Sequence, residues 1–487
     1  MVAVRYSLVK MAGFRAGLIV AALVIAAGCA ARRPASVQAE TAPPRVDDLT
    51  ALIEQGCYRC LERAYEQAHA RGAQEQAFQS AVLLVLRSKE LGLPFEEWRS
   101  KARAAAPDGD AAALSLTIAD AIPPDRLSEE RYAQFDLGLR NNARGSVTSW
   151  REALHSGSSS ELLRSYLDLA LVCSFGRVNE SAESYTGELD PVAGVPLYQY
   201  SVGICDAAKA PRLQAMRDAH PEFVDADYAL GRYLLEDPSS GDQEGGLRRL
   251  QAAAAAFPRS PAIAVRIGNT YRGWEEWPAA LEAYDAALSV SPKHPDALVG
   301  RTVALSQLGR AQDAITTATT VIDGGQWMVG EAYYWRAWNQ LRLGNLPLAR
   351  EDADRALTQM ANARVFVLSG VIEWRMRRLE NAERDFQRAV TIDFGECEGA
   401  FDLGIVRDEL RQVPQSLAAF RQAGQCSDLS IKLRREAIAK IEAGPGTPAS
   451  RARDAARHRR ALHELEERRD EIARAIDALE KAAKGSN

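Results

Sequence analysis

This 487-residue sequence lacks the features that mark enzymes, membrane-spanning proteins and nucleic-acid-binding proteins. It has no phosphate-binding glycine loop and no Gly-x-Ser-x-Gly or His-Glu-x-x-His motif, and its six histidines are scattered. We therefore expect no catalytic, metal or cofactor site. Beyond residue 29, no apolar run is long enough to span a bilayer. The formal net charge of −5 gives no overall attraction to phosphate backbones, so nucleic acid is not an expected partner.

A pattern that returns every 33 to 35 residues dominates the second half of the chain. Its clearest copy places small, aromatic and proline residues at fixed offsets: Ile267-Gly268, Tyr271, Ala280, Tyr284, Ala287 and Pro292. The small residue that lets the second helix of a hairpin approach the first recurs in five copies, at Ala280, Ala314, Ala349, Ala382 and Ser416. A period of this size predicts one helical hairpin repeated in space. Because a single hairpin cannot bury its apolar face alone, stacked copies are needed to form a core.

Close approach of two helices also requires a small residue opposite a large one. The sequence supplies such pairs by alternating Gly268, Gly370 and Gly404 with Tyr284, Phe386 and Phe420. No alternating strand pattern of convincing length is present, so every part of the pattern favours helices.

These residues resemble the tetratricopeptide repeat family, whose units place Leu-Gly, Tyr, Ala, Phe and Pro at fixed offsets in a helix–turn–helix. The copy from Pro261 fills nearly every slot and lacks only the tryptophan, where Ala264 stands. The match covers roughly residues 224–442 in six copies. The resemblance implies an all-α fold, a right-handed superhelical solenoid of helix–turn–helix repeats. In that family the first helix of each hairpin lines a concave surface that binds a protein or peptide.

The chain divides into six predicted segments, and a run of breaker residues from Ala443 to Pro448 begins the fifth. In order, they are a signal peptide (1–28), a proline-rich flexible tether (29–45), divergent helical hairpins (46–222), the array of about six repeats (223–442), a linker (443–450) and a C-terminal amphipathic helix (451–484). The second and third segments differ in composition, since the tether is poor in apolar periodicity and the hairpins show it throughout.

The N-terminus predicts export, because basic residues precede an uncharged apolar run from Ala16 to Ala27. The run ends Ala26-Ala27-Gly28-Cys29, which resembles the lipobox of bacterial lipoproteins, with Ala26 where leucine is usual. The resemblance implies lipid attachment at Cys29 and, since Ala30 rather than aspartate follows, an outer-membrane lipoprotein facing the periplasm. The alternatives are an ordinary secretory peptide cut near residues 27–31 and an uncleaved anchor.

Six of the seven cysteines remain if one carries lipid, and an even number allows disulfides in an oxidising compartment. Cys397 opens the first helix of its repeat and Cys426 closes the second; these ends lie side by side in an antiparallel hairpin, so we predict that they pair. Cys173 and Cys205, near the ends of predicted helices, form a second predicted pair. The Cys57-Tyr58-Arg59-Cys60 stretch has helical flanks rather than a βαβ context. The main interpretation is therefore that the two cysteines are core-facing thiols or form a local bridge. The alternative is that they form a redox motif.

Alignment of the copies places an aromatic-rich set of residues on the surface lined by first helices. Aromatic and arginine side chains dominate interface energies, so this set predicts a groove for an apolar peptide or helix, centred on Trp338 and Trp374. The alternative is that the rings pack between neighbouring helices. The predicted groove residues are Tyr334, Trp338, Arg342, Val371, Trp374, Arg375, Phe401 and Ile405.

The C-terminal segment, residues 451–484, has apolar residues at three- and four-residue steps, interrupted by Arg469. This seam predicts a coiled coil that makes a homodimer, a capping helix over the last repeat, or a free amphipathic helix.

The leading functional prediction is a non-enzymatic protein–protein interaction scaffold of the bacterial cell envelope. An alternative is an assembly factor, similar to the repeat lipoproteins that help pilus or secretion pores reach the outer membrane. A redox protein acting through Cys57 and Cys60 is the third interpretation.

Overall fold

The computed structural model describes residues 48–123, 146–157, 160–175, 192–205, 210–236, 242–325, 328–393, 395–444 and 446–485. All regular secondary structure in these ranges is helical, and successive helices pack against each other as in a helical-repeat solenoid, which confirms the predicted fold class. No helix in these ranges is both long and apolar enough to cross a membrane. The predicted signal peptide, the lipidation site Cys29 and the tether up to residue 45 lie outside the described residues.

The chain forms two compact units. The N-terminal unit comprises Arg45–Leu308 with Lys440–Ala455, and the C-terminal unit comprises Gly309–Ala439 with Ala456–Asn487. The described helices of the N-terminal unit are α1 (Leu49–Gln55), α2 (Tyr58–Arg71), α3 (Gln74–Glu90), α4 (Glu96–Ala105), α5 (Asp110–Ala121), α6 (146–156), α7 (Glu161–Phe175), α8 (Pro196–Cys205), α9 (Ala210–Ala219), α10 (Ala226–Glu236), α11 (Gln243–Ala256), α12 (Pro261–Gly273), α13 (Trp277–Val290) and α14 (Pro295–Gln307). Those that lie wholly or mostly in the C-terminal unit are α15 (Ala311–Gly324), α16 (Val329–Leu343), α17 (Leu346–Gln359), α18 (Ala363–Arg375), α19 (Leu379–Ile392), α20 (Cys397–Glu409), α21 (Val413–Ala443) and α22 (Pro448–Gly485).

The N-terminal unit is built around an apolar cluster whose members run from Leu52 to Ile263 in sequence. Helix α3 lies deep in this unit, since every residue from Ala77 to Glu90 is buried. Because the cluster crosses residue 222, the predicted division between divergent hairpins and repeats does not coincide with a break in packing. Each hairpin of a repeat protein contacts its neighbours, so degenerate and regular hairpins share one continuous core.

Charged groups at the centre of the N-terminal unit pair with one another. Arg87 is fully buried and donates to the carboxylates of Glu90 and Asp225, which are also buried. The Tyr166 hydroxyl donates to Glu90 at 2.8 Å, and the Arg87 guanidinium lies 3.7 Å from the centroid of the Tyr200 ring. Burial of a charge is tolerated only when it is paired and hydrogen-bonded. The network therefore fixes α3, α7, α8 and the segment before α10 relative to each other.

The hairpins contain the predicted close contacts between small and large residues. A Cβ atom added at Gly268, Gly370 or Gly404 would lie 2.6, 2.7 or 2.8 Å from a ring carbon of Tyr284, Phe386 or Phe420, respectively. Separations below 3.0 Å leave no room for a methyl group, so glycine is required for these helices to approach so closely. The recurrent small residues are fully buried as well: Ala280, Ala314, Ala349, Ala382 and Ser416.

In the five repeats from Pro261 onward, the first helix is followed at the same repeat position by a residue in the left-handed conformation. Glycine fills this position in two of them, at Gly309 and Gly344. The other three repeats use non-glycine residues with φ between 59° and 63°: Glu275, Arg377 and Arg411. Left-handed backbone ends a helix by turning the chain back, so the turn is retained even where glycine is lost.

Helix α22 packs along α21 in the opposite direction within the C-terminal unit. Three ion pairs fix this register: Arg421 with Glu480 at 2.8 Å, Asp428 with Arg469 at 2.7 Å, and Arg435 with Glu466 at 2.6 Å. The apolar seam faces the same chain, since Ile472 is fully buried and lies near Gly424. This is the arrangement of a capping helix, one of the alternatives raised above. Pairing of residues 451–484 with a second copy stays a prediction.

Candidate protein-interaction surface

Helices α16, α18 and α20 are the first helices of three consecutive hairpins and are direct neighbours in the C-terminal unit. Equivalent positions of these helices therefore form rows across one face, which we call the first-helix face. One row, near the start of the three helices, contains Glu331, Arg364 and Glu398. A second row, seven residues further along each helix, contains Trp338, Val371 and Ile405.

Three of the residues predicted to line a groove on this face are buried instead. Tyr334 is 7% exposed, Phe401 4% and Ile405 5%. Phe401 and Ile405 belong to an apolar cluster that also includes Ile472 of α22. For these three residues the alternative of packing between helices is correct, because their neighbours cover them.

The other predicted groove residues remain accessible in part. Trp338, Val371, Trp374 and Arg375 are half-buried, and Arg342 is exposed. We call Trp338, Val371 and Trp374, with the two flanking arginines, the tryptophan patch. The Trp374 indole is held in place by a hydrogen bond from Nε1 to the Glu409 carboxylate at 3.1 Å.

One edge of the first-helix face is formed by arginines that lie on aromatic rings. Arg364 pairs with Glu331 at 2.6 Å and lies 4.2 Å from the ring centroid of Tyr334, where burial raises the tyrosine pKa to about 12. The contact recurs two hairpins further along, on α20, where Arg468 of α22 takes the place of Arg364. Cation–π contacts and ion pairs of this kind fix the rings against their neighbours.

Arg468 contributes this second contact by pairing with Glu398 at 3.4 Å and lying 4.7 Å from the centroid of Phe401. Residues 467–485 of α22 thus occupy the place that the first helix of a further hairpin would take. The outer side of this segment is charged and exposed, at Asp470, Arg474, Asp477 and Lys481. A polar outer face is what the end of a repeat array requires. The equivalence of this α22 segment to the first helix of a repeat was not predicted. The spacing shared by Glu331-x-x-Tyr334 and Glu398-x-x-Phe401 is the signal for it in the sequence.

The glycine–ring contacts, the buried small residues and the left-handed turns recur together at the family's period. This helix–turn–helix arrangement agrees with the fold that the resemblance to tetratricopeptide repeats implies. No protein-family model matches the chain, and a search of curated proteins also finds no match.

The solved structures that are similar to this chain match it with low identity and low TM-scores. A tetratricopeptide repeat protein from Parabacteroides merdae has a TM-score of 0.39 and 16% identity, over 54% of this chain and 93% of its own. PilW, a type IV pilus biogenesis factor, has a TM-score of 0.38 and 13% identity, over 41% of this chain and 91% of PilW. YrrB, described as having an unusual peptide-binding site, has a TM-score of 0.31 and 17% identity, over 36% and 91%. Similarity of this extent carries no inference about function.

The described cysteines form disulfides. Cys397 and Cys426 are joined, with Cα atoms 5.5 Å apart, and Cys173 is also disulfide-bonded. The side chain of Cys205 lies outside the described residues, so its pairing stays a prediction.

Cys57 and Cys60 form a local bridge at the start of α2, and both are buried. Exchange requires access of an attacking thiolate to a sulfur, which burial prevents. The structure therefore gives the redox interpretation no support. Among the described residues, no group of three histidine, cysteine or acidic side chains could hold a metal ion.

Proposed function

We propose that this protein is a non-enzymatic protein–protein interaction scaffold that binds a peptide or helix across the tryptophan patch. The observation that carries this proposal is that Trp338, Val371 and Trp374 keep part of their apolar surface exposed, whereas the neighbouring rings are buried. Aromatic residues that are partly exposed and held on rigid helices act as anchors, because little side-chain freedom is lost when a partner covers them.

Charge around the patch favours one orientation of the bound segment. Arg342 and Arg375 follow the apolar residues on α16 and α18, whereas Asp408 and Glu409 occupy the corresponding end of α20. A difference in charge of this kind across a binding surface mainly sets specificity.

The test is photo-crosslinking from the patch in cells that produce the full protein. A photoreactive amino acid at exposed Arg342 is expected to give a discrete adduct. The same group at Leu348, which is 52% exposed on the second helix α17, is the matched control and is expected to give none. Trp338→Ala should remove the adduct while the far-ultraviolet circular dichroism stays unchanged. Equal labelling from both positions would contradict the proposal.

The proposed location is the periplasmic side of the outer membrane, with lipid on Cys29. Support comes from the lipobox-like sequence and the tether that follows it. Growth with an alkyne fatty acid should label the wild-type protein and leave Cys29→Ala unlabelled. Labelling of the variant at the wild-type level would exclude Cys29 as the acceptor.

An assembly factor for a pilus or secretion complex is the second proposal, resting on the same envelope signal. It predicts that the crosslinked partner is one envelope pore protein recovered in fixed stoichiometry, whereas a general scaffold predicts several partners. Homodimer formation through residues 451–484 is tested by sedimentation of the purified protein with and without that segment.

A further inference from the structure

A buried carboxyl group lies in the surface of α20 that α22 covers. Asp402 is 8% exposed and follows directly on Phe401, which Arg468 of α22 covers. Four charged groups are near Asp402: Glu396, which directly precedes α20, Glu398 in α20, and Arg468 and Glu471 in α22.

These surroundings disfavour a charge on Asp402. The pKa of Asp402 is raised to about 8. Burial is the largest cause, and repulsion by Glu398 is the next. With the repulsion by Glu396 and Glu471, these effects outweigh the attraction of Arg468. Arg468 is also shared, since it donates to Glu398 at 3.4 Å and to Glu471 at 2.6 Å. One guanidinium therefore faces several carboxyl groups.

The remaining contacts of this part of α22 are partly exposed apolar side chains packed on α20 and α21, at Ala475, Ile476 and Leu479, and ion pairs near the surface, including Arg469–Asp428. Between residues 456 and 483, Ile472 is the one buried residue among those described. The Arg421–Glu480 pair is 60% and 40% exposed and the Arg435–Glu466 pair 64% and 41% exposed. Exposed pairs of this kind contribute little to stability. A charged carboxylate buried in this interface without a dedicated partner opposes docking, so the protonation of Asp402 shifts the equilibrium between the docked and the released segment.

We propose that residues 467–485 form a pH-sensitive cap, which docks on α20 and α21 while Asp402 is protonated and is released as this carboxyl group ionises. Release uncovers the apolar surface formed by Phe401 and Ile405 at the end of the first-helix face. This proposal does not depend on which partner binds the tryptophan patch.

The direction of the pH effect follows from proton linkage. The docked state holds a proton on Asp402 up to pH about 8, whereas the released state exposes this carboxyl group and loses the proton near the ordinary pKa of an aspartate, about 4. Docking therefore binds a proton and weakens as the pH rises. The docking constant falls by up to about tenfold per pH unit between these two values and is constant above pH about 8.

Hydrogen–deuterium exchange of the full protein tests the proposal. The amides of residues 467–480 should lose protection, corrected for intrinsic exchange, by up to about tenfold per pH unit from pH 6 to 8, with no further loss at pH 9. Amides of α18, measured in the same samples, serve as the internal control and should keep constant protection. Constant protection of residues 467–480 from pH 6 to 9 would overturn the proposal.

Two variants test whether ionisation of Asp402 causes the loss of protection. Asp402→Asn should keep residues 467–480 protected at every pH, because the amide cannot ionise. Glu471→Gln removes one repelling carboxylate from α22, so the loss of protection should level off at a lower pH than in the wild type. If Asp402→Asn does not fold, Glu471→Gln decides, and an unchanged levelling pH would count against the proposal. A wild-type pH slope in folded Asp402→Asn would equally overturn it.

Discussion

Replacing Gly404 with alanine tests whether glycine–ring contacts hold the hairpins together. The new Cβ atom would lie 2.8 Å from both Cδ1 and Cε1 of Phe420, which is 2% exposed and has little room to move. Overfilling a packed core costs about 1–3 kcal/mol. The higher helix propensity of alanine offsets at most about 1 kcal/mol of this. With that full offset, we expect a net loss of up to about 2 kcal/mol in the free energy that opens the α20–α21 hairpin.

The matched control is Gly273→Ala at the end of α12, where an added Cβ atom meets nothing within 4 Å. This variant should be neutral or gain up to about 1 kcal/mol, since only the propensity term remains. The assay is native-state hydrogen exchange, which measures each hairpin separately where unfolding of a repeat array is not two-state.

The double variant Gly404→Ala with Phe420→Leu separates steric conflict from other causes. Removal of the ring should make the alanine tolerable, so the two changes should couple by about 0.5–3 kcal/mol in the favourable direction. The steric account is refuted if Gly404→Ala is as stable as Gly273→Ala, or if the two changes are simply additive.

Three further predictions concern stability. Arg411→Gly should stabilise the α20–α21 turn by about 0.5–1 kcal/mol in hydrogen exchange, because φ is 63° there and glycine adopts this conformation without strain; Arg411→Ala, which keeps the strain, should show no gain. Loss of the Cys397–Cys426 disulfide in a double alanine variant should cost about 3–4 kcal/mol, seen as a lower urea midpoint, and an unchanged midpoint would mean that the bridge adds no stability. Asp225→Asn should cost about 3–5 kcal/mol by leaving the buried Arg87 charge incompletely paired, and a loss below 1 kcal/mol in thermal unfolding would contradict that role.

The sequence predicted which helix carries each aromatic residue, but not which aromatic rings are buried. The period alone puts Trp338 on the first helix α16 and Trp374 on the first helix α18, whereas their part in a binding groove stays a prediction. Burial of Phe401 was not predictable in this way, since the arginine that covers it comes from α22, outside the regular repeats. Burial of Tyr334 was not predictable for a different reason: it depends on a specific contact with the Arg364 side chain of the adjacent repeat, which the period does not specify.

The sequence by itself determined the helical hairpins, their period and the small residues at their contacts, because these interactions join residues within one repeat or between adjacent repeats. Only the tertiary structure decided which aromatic rings are buried, where α22 docks and how the charges of the N-terminal unit are paired. Arg87 and Asp225 are 138 residues apart in sequence and follow no repeat pattern. Their contact is fixed by the packing of many helices together, which no local periodicity records.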